Sequence, residues 1–209
     1  MSLLPALALI GARADIVAGS PPAELPKAPL SSFEQALSAQ PSATKALATW
    51  CQARFINWPN PPDIAASMVP GPAMPLPANG RRLLGIEPQE PLGFRHVRLT
   101  CGETVLSEAY NWYVPARLTA EMNRLLETTR TPFGKVAAPL AFTRTPLASR
   151  RGPARGCPPG TILANRALLR LPDGRGLALV LECYTRANIE PLNFLPTRTP
   201  DIAPPASAP

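Results

Sequence analysis

Two charged side chains of this 209-residue chain lie inside runs that are otherwise apolar. In GLALVLECYT, Glu182 follows Leu177 to Leu181, a stretch with no polar face on either parity. That is how a strand buried on both sides reads. An unpaired buried carboxylate is very costly, so Glu182 must be neutral, paired or functional. In FRHVRLTC, alternation puts Arg95, Val97, Leu99 and Cys101 on one face and His96, Arg98 and Thr100 on the other. A guanidinium among apolar neighbours stays charged and presents a planar fork of donors, so it requires a carboxylate from a side chain or from a ligand.

Two readings fit this couple about equally. In one, Arg95 and Glu182 pair inside the sheet, an arrangement often no more stabilising than apolar residues of the same volume. In the other, Arg95 holds a ligand carboxylate while Glu182 meets a hydroxyl of the same ligand. The remaining candidates offer less. Phe133-Gly134-Lys135 lacks the frame of a phosphate loop, and no Ser or Cys stands in a nucleophile motif. His96, the single histidine, faces away from Arg95 and reads as half-exposed; Trp112 and Tyr113 read as core and hairpin residues. Four cysteines without a CxxC pair, and one histidine, leave no zinc set. Cys101 and Cys183 sit in apolar strands and read as buried thiols, with disulfides as the alternative if the chain is exported; the states of Cys51 and Cys157 stay open.

The elements that must position these residues follow from periodicity. Residues 31 to 55 hold two short helical patterns, Phe33, Ala36 and Leu37 in the first and Ala46, Leu47, Trp50 and Cys51 in the second, broken at Pro41-Ser42 with Ser42 or Thr44 as N-cap. LGFRHVRLT and TVLSEAYNWYVP form a hairpin about Cys101-Gly102-Glu103. Thr119 caps a helix through AEMNRLLETT with Met122, Leu125 and Leu126 as its apolar stripe. A strand is expected near VAAPLAFTRTPL, and TILANRALLRL pairs with GLALVLECYT about Pro172-Asp173-Gly174. The fold class is therefore α+β: one domain, an antiparallel sheet flanked by helices. The 29 prolines concentrate in loops near 59–79 and 150–160 and in a tail from 196 expected to be disordered. Residues 1–30 read as a signal peptide or a disordered leader: a short apolar run ends in Ala-Arg-Ala but lacks a basic start. No segment reaches the roughly 18 apolar residues of a membrane span.

The net charge of +7 serves solubility and attracts anions. Arg150, Arg151 and Arg155 form the one dense basic cluster, and with no interleaved aromatics it does not read as a nucleic-acid surface. Small carboxylated metabolites fit the charge.

The order of motifs resembles the chorismate lyase family. The shared series is FRHVRL with Arg95, Gly102-Glu103, NWYVP ending at Pro115, TAEMNRLLE, TPFGK from Thr131 to Lys135, and LVLECY with Glu182. SATKAL, Ser42 to Leu47, resembles the family segment near the ligand. The resemblance covers about Ser42 to Ile189 and leaves the proline loops unmatched; Ala43 stands where the family often has Met. It implies a lyase-like domain over 31–195 that eliminates pyruvate from chorismate to give 4-hydroxybenzoate, or a non-catalytic binder of a small aromatic carboxylate. By it, Arg95 takes the ring carboxylate, Glu182 meets the hydroxyl at the far end, and the backbones of Ala43 and Phe133 complete the carboxylate site. It implies no cofactor or metal, a monomer, and a cytoplasmic location, or a periplasmic one if the apolar leader is a signal peptide.

Overall fold

The structure is a computed structural model and describes residues 28–54 and 63–190. The expected leader up to residue 27, part of the first proline loop and the tail from 196 lie outside the described residues.

The two expected N-terminal helices are α1 (Leu30–Ser38) and α2 (Ala43–Arg54). They bury Phe33 and Leu37 from the first and Ala46, Leu47 and Cys51 from the second, the 3.6-residue stripes that the sequence carries. Ser42 is the N-cap of α2: its Oγ accepts from the Lys45 N–H at 3.2 Å. The described part of the first proline region contains strand β1 (Ile64–Met68), and α3 (Gly80–Leu84) follows the region and stops at Gly85 with φ 61°. In β1 only Ile64 and Ala66 are buried, too weak an alternation for a five-residue edge strand to stand out among its prolines.

The hairpin of β2 (Gly93–Cys101) and β3 (Thr104–Tyr113) turns at Gly102, φ 57°. Thr119 caps α4 (Ala120–Thr128), accepting from the Met122 N–H at 3.1 Å. The strand expected near VAAPLAFTRTPL starts later. Phe133–Val136 is a short helix, α5, a 3-10 turn follows at Ala138–Leu140, and β4 runs from Thr143 to Arg151. Arg150 and Arg151 therefore belong to an exposed edge strand, not to the basic loop. The chain closes with β5 (Leu163–Arg170) and β6 (Gly176–Tyr184) about the turn at Gly174, φ 86°.

All strand pairings are antiparallel, in the order β1-β2-β3-β6-β5-β4. This is the single-domain α+β architecture that the periodicity predicts. Every residue of β6 is buried, because this central strand is covered on both faces. On the inner face α1 and α2 pack Phe33 and Leu47 against Val97, Leu99 and Tyr184, while α4 and α5 pack Leu126 and Phe133 against Leu169 and Val180. On the outer face Trp112, Leu179 and Leu181 meet Leu84 and Ile86. Each such fully buried side chain contributes about 1.5–3 kcal/mol.

The cysteines form two disulfides instead of the buried thiols the apolar strands suggested. Cys51 on α2 joins Cys101 at the end of β2, and Cys157 in the second proline loop joins Cys183 on β6. The bridged positions are 50 and 26 residues apart; loop closure of those lengths is worth about 4 and about 3.5 kcal/mol in the chain-entropy account. Parity placed Cys101 and Cys183 inside; the partners were hidden because strand patterning carries no information on a helix and a loop packed against the sheet.

Candidate functional site

Rows of residues across the inner face of β2, β3, β6 and β5 bring the candidates into register. One row is Arg95, Asn111, Val180 and Ala167; the next is Val97, Ala109, Glu182 and Asn165; the third is Leu99, Ser107, Tyr184 and Leu163. Arg95 and Glu182 thus share a face, two strands and one row apart, about 12 Å between Cα atoms by strand spacing and rise. The alternation of β2 ends at a register shift between Leu99 and Thr100, so Thr100 is buried too.

Arg95 and Glu182 are not paired with each other. The Glu182 carboxylate is taken by two other residues of the inner face: Arg144 Nη2 donates to Oε2 at 2.6 Å and Tyr184 Oη donates to the same oxygen at 3.0 Å. Burial alone would lower the pKa of Arg144, but the charge of Glu182 and its neighbour Tyr184 raise it above the ordinary value. Burial, then the Glu182 charge, pushes the Tyr184 hydroxyl well up, so it is a donor at any physiological pH.

Among the described residues Arg95 has no counter-charge. It is 3% exposed, and Nε, Nη1 and Nη2 are all buried without a hydrogen-bond partner. Burial pushes its pKa down, opposed by Tyr113; burial pushes Tyr113 up, opposed by Arg95. The Tyr113 ring lies over Gly93, where a Cβ would come within 2.3 Å of it, and its centroid is 5.6 Å from that of Phe133. A guanidinium with three unpartnered buried nitrogens has the chemistry to hold an anion.

Beside it, between the sheet and the starts of α2 and α5, is a cavity with about 40 Å³ of room for water centres. Its lining includes Ser42, Ala43 and Thr44 from α2, Phe133 and Gly134 from α5, and Ser107, Asn111 and Glu182 from the sheet. The Ser107 hydroxyl is buried without a partner. Arg95 lies just past the lining, across the β2–β3 ladder from Asn111. Ser42, Thr44, Gly134 and Phe142 also line an adjoining groove of about 490 Å³ flanked by Lys45 and by the Lys135–Asp63 pair, 3.4 Å apart. The wall between them is thin: a Cβ on Gly134 would lie 2.8 Å from Thr44 Oγ1.

The structure therefore gathers Glu182, Ala43 and Phe133 around one cavity with Arg95 at its margin. His96 is partly exposed on the outer face, 2.7 Å from Glu108, where the sequence put it. Reading the sequence missed Arg144, Tyr184, Ser107 and Asn111. Alternation along TVLSEAYNWY puts Ser107, Ala109, Asn111 and Tyr113 on one face and was signal enough for two of them. Arg144 had none, since it sits on an exposed edge strand interrupted by Pro146. Among the described residues, no group of three or more His, Cys, Asp or Glu could hold a metal ion, and no helix is long and apolar enough to cross a membrane.

No protein-family model matches the chain. The uncharacterized protein y4mC of Sinorhizobium fredii is 42% identical over 164 residues, which span 69% of this chain and 68% of that protein. The chain belongs to the family of y4mC. Among solved structures, it is similar to PhnF from Mycobacterium smegmatis, with a TM-score of 0.49 and 13% identity over 72% of this chain and 66% of that one. The effector domain of PhnF has a TM-score of 0.48 and 13% identity, over 69% and 88%. A GntR-family transcriptional regulator from Bacillus cereus has a TM-score of 0.43 and 10% identity, over 63% and 98%. These likenesses concern architecture and do not bear on the lyase activity that the sequence resemblance implies.

Proposed function

We propose that the protein binds a small aromatic carboxylic acid on the inner face of its sheet, with Arg95 taking the carboxylate and Glu182, held by Arg144 and Tyr184, accepting from a ring hydroxyl. One observation carries this reading: three buried guanidinium nitrogens of Arg95 have no acceptor among the described residues. A ligand carboxylate supplies two acceptors in the geometry of that fork. The cavity has room for only about three waters, so the ligand occupies it together with part of the adjoining groove, where Lys45 adds a positive charge and Lys135 is already paired with Asp63. Pairing of all four cysteines supports the periplasmic location over the cytoplasmic one.

Elimination of pyruvate from chorismate is the second reading, favoured by the same buried cation beside a small cavity. Loss of the enolpyruvyl group leaves an aromatic ring, so the reaction needs only a held conformer and a neutralised carboxylate, with no metal or organic cofactor. The geometry favours binding alone over this chemistry, because one oxygen of Glu182 is already committed to Arg144 and Tyr184.

Calorimetric titration with 4-hydroxybenzoate tests the reading. The wild type is expected to bind one equivalent, and Arg95→Lys to bind at least about tenfold more weakly, because an ammonium cannot reproduce the bidentate fork. Equal affinity in both proteins, or no binding at millimolar ligand, rejects the assigned role. Formation of 4-hydroxybenzoate from chorismate in the presence of a chelator establishes the lyase, and its absence in protein that binds the product leaves the binding module.

A further inference from the structure

The outer face of the sheet carries a second and larger recess of about 910 Å³, within the range of small-ligand sites. Its floor is Trp112 on β3 with Leu179 and Leu181 on β6, and its walls come from the two proline-bearing segments around Met74 and Arg155. Both walls are fastened to the floor. Trp112 Nε1 donates to the Met74 carbonyl at 2.8 Å, and the Cys157–Cys183 disulfide pins the second segment to β6. They meet at Gly156, φ 87°, where a Cβ would lie 3.2 Å from Leu181 Cδ2 and 3.6 Å from Met74 Sδ. The basic proline loop that the sequence set apart is thus a built wall, and the site described above makes no use of it.

The charges of the recess all have one sign. Arg155 and Arg166 are its charged residues, both are exposed, and neither has an ion-pair or hydrogen-bond partner among the described residues. No acidic residue lines it. At the rim stands Leu147, 42% exposed, one of two large hydrophobic residues left in solvent among those described. An apolar floor and rim beneath two unpaired guanidinium groups complement a molecule with a long apolar body and one anionic end.

We infer that this outer recess is a second binding site, for an amphiphilic carboxylate of the fatty-acid class, with the chain over Trp112, Leu179, Leu181 and Leu147 and the head group between Arg155 and Arg166. The inference stands apart from the role given to Arg95, since the two sites lie on opposite faces of the sheet.

Titration of the full chain with decanoate, below its micellar concentration, tests it. One equivalent binds to the wild type, and neutral decanol binds at least tenfold more weakly. Arg155→Ala/Arg166→Ala lowers decanoate affinity at least tenfold, and Ala148→Trp, which fills the recess from an exposed position, abolishes binding. The control Arg124→Ala/Arg175→Ala, which removes the same charge from exposed sites elsewhere, leaves affinity unchanged. All variants alter exposed residues, and an unchanged circular dichroism melt confirms that they fold. Absence of decanoate binding, equal binding to Ala148→Trp, or equal losses in the two double variants overturns the proposal.

Discussion

Two arginines reach into the same inner layer of the protein, and among the described residues only one of them has a counter-charge. Arg144 comes in from the edge strand β4 and meets Glu182, whose second donor is Tyr184. Arg95 comes in from β2, is more deeply buried, and meets no acceptor. The charge of Arg144 is balanced by Glu182, although its Nε is buried without a partner and only one oxygen of Glu182 is taken. The bare cation is incomplete, and a fold that keeps it must recover the desolvation cost elsewhere or from a ligand. Arg98, on the other side of β2 from Arg95, shows the ordinary solution: it is half in solvent and donates to Glu108 at 3.0 Å.

The largest expected effect breaks the balanced pair. Glu182→Leu leaves Arg144 buried without its carboxylate and is expected to cost about 3–5 kcal/mol in urea denaturation, with most of the loss recovered in Arg144→Met/Glu182→Leu. If the double variant is as unstable as the single one, the pair is not the source of the cost. Gly134→Ala comes next. Its Cβ would fall 2.8 Å from Thr44 Oγ1, displacing the start of α2 from the cavity, and a loss of about 1–2 kcal/mol is expected, with 4-hydroxybenzoate affinity falling more than stability does. Ligand affinity equal to that of the wild type would remove the starts of α2 and α5 from the site.

The smallest effect belongs to the outer face. Arg98 and His96 hold Glu108 below the usual carboxylate range although burial opposes them. A folded pKa lower than the unfolded value of about 4.3 contributes stability above that value and loses it as pH falls through the folded one. Glu108→Gln is therefore expected to cost about 1 kcal/mol at neutral pH, and its stability curve should converge with that of the wild type in acid. Parallel curves down to the acid transition would show that Glu108 contributes nothing through its charge.

Much of this was legible in the residues. The hairpin of β2 and β3, the turn at Gly174, the cap at Thr119 and the shared face of Arg95, Val97 and Leu99 follow from period and turn chemistry, which are local. The partner of Glu182 was not legible. Whether a carboxylate on β6 meets an arginine on β2 or on β4 depends on strand order, and the sequence marked only Arg95, by its apolar face. The edge strand β1 and the late start of β4 escaped for a related reason: β1 has only five residues, and β4 is almost wholly exposed and carries Pro146, so neither shows the alternation that marks central strands.

The most direct test of the central claim is the stability of Arg95→Met with and without 4-hydroxybenzoate, measured by urea denaturation beside the wild type. Met keeps the apolar stem and removes a charge that has no partner, so the unliganded variant is expected to be as stable as the wild type within about 1 kcal/mol, or more stable. At ligand a hundred times its dissociation constant the wild type should gain about 2.7 kcal/mol, and the variant nothing. A variant destabilised by several kcal/mol without ligand, beside a wild type that gains nothing from it, would show that Arg95 serves the fold and not a carboxylate.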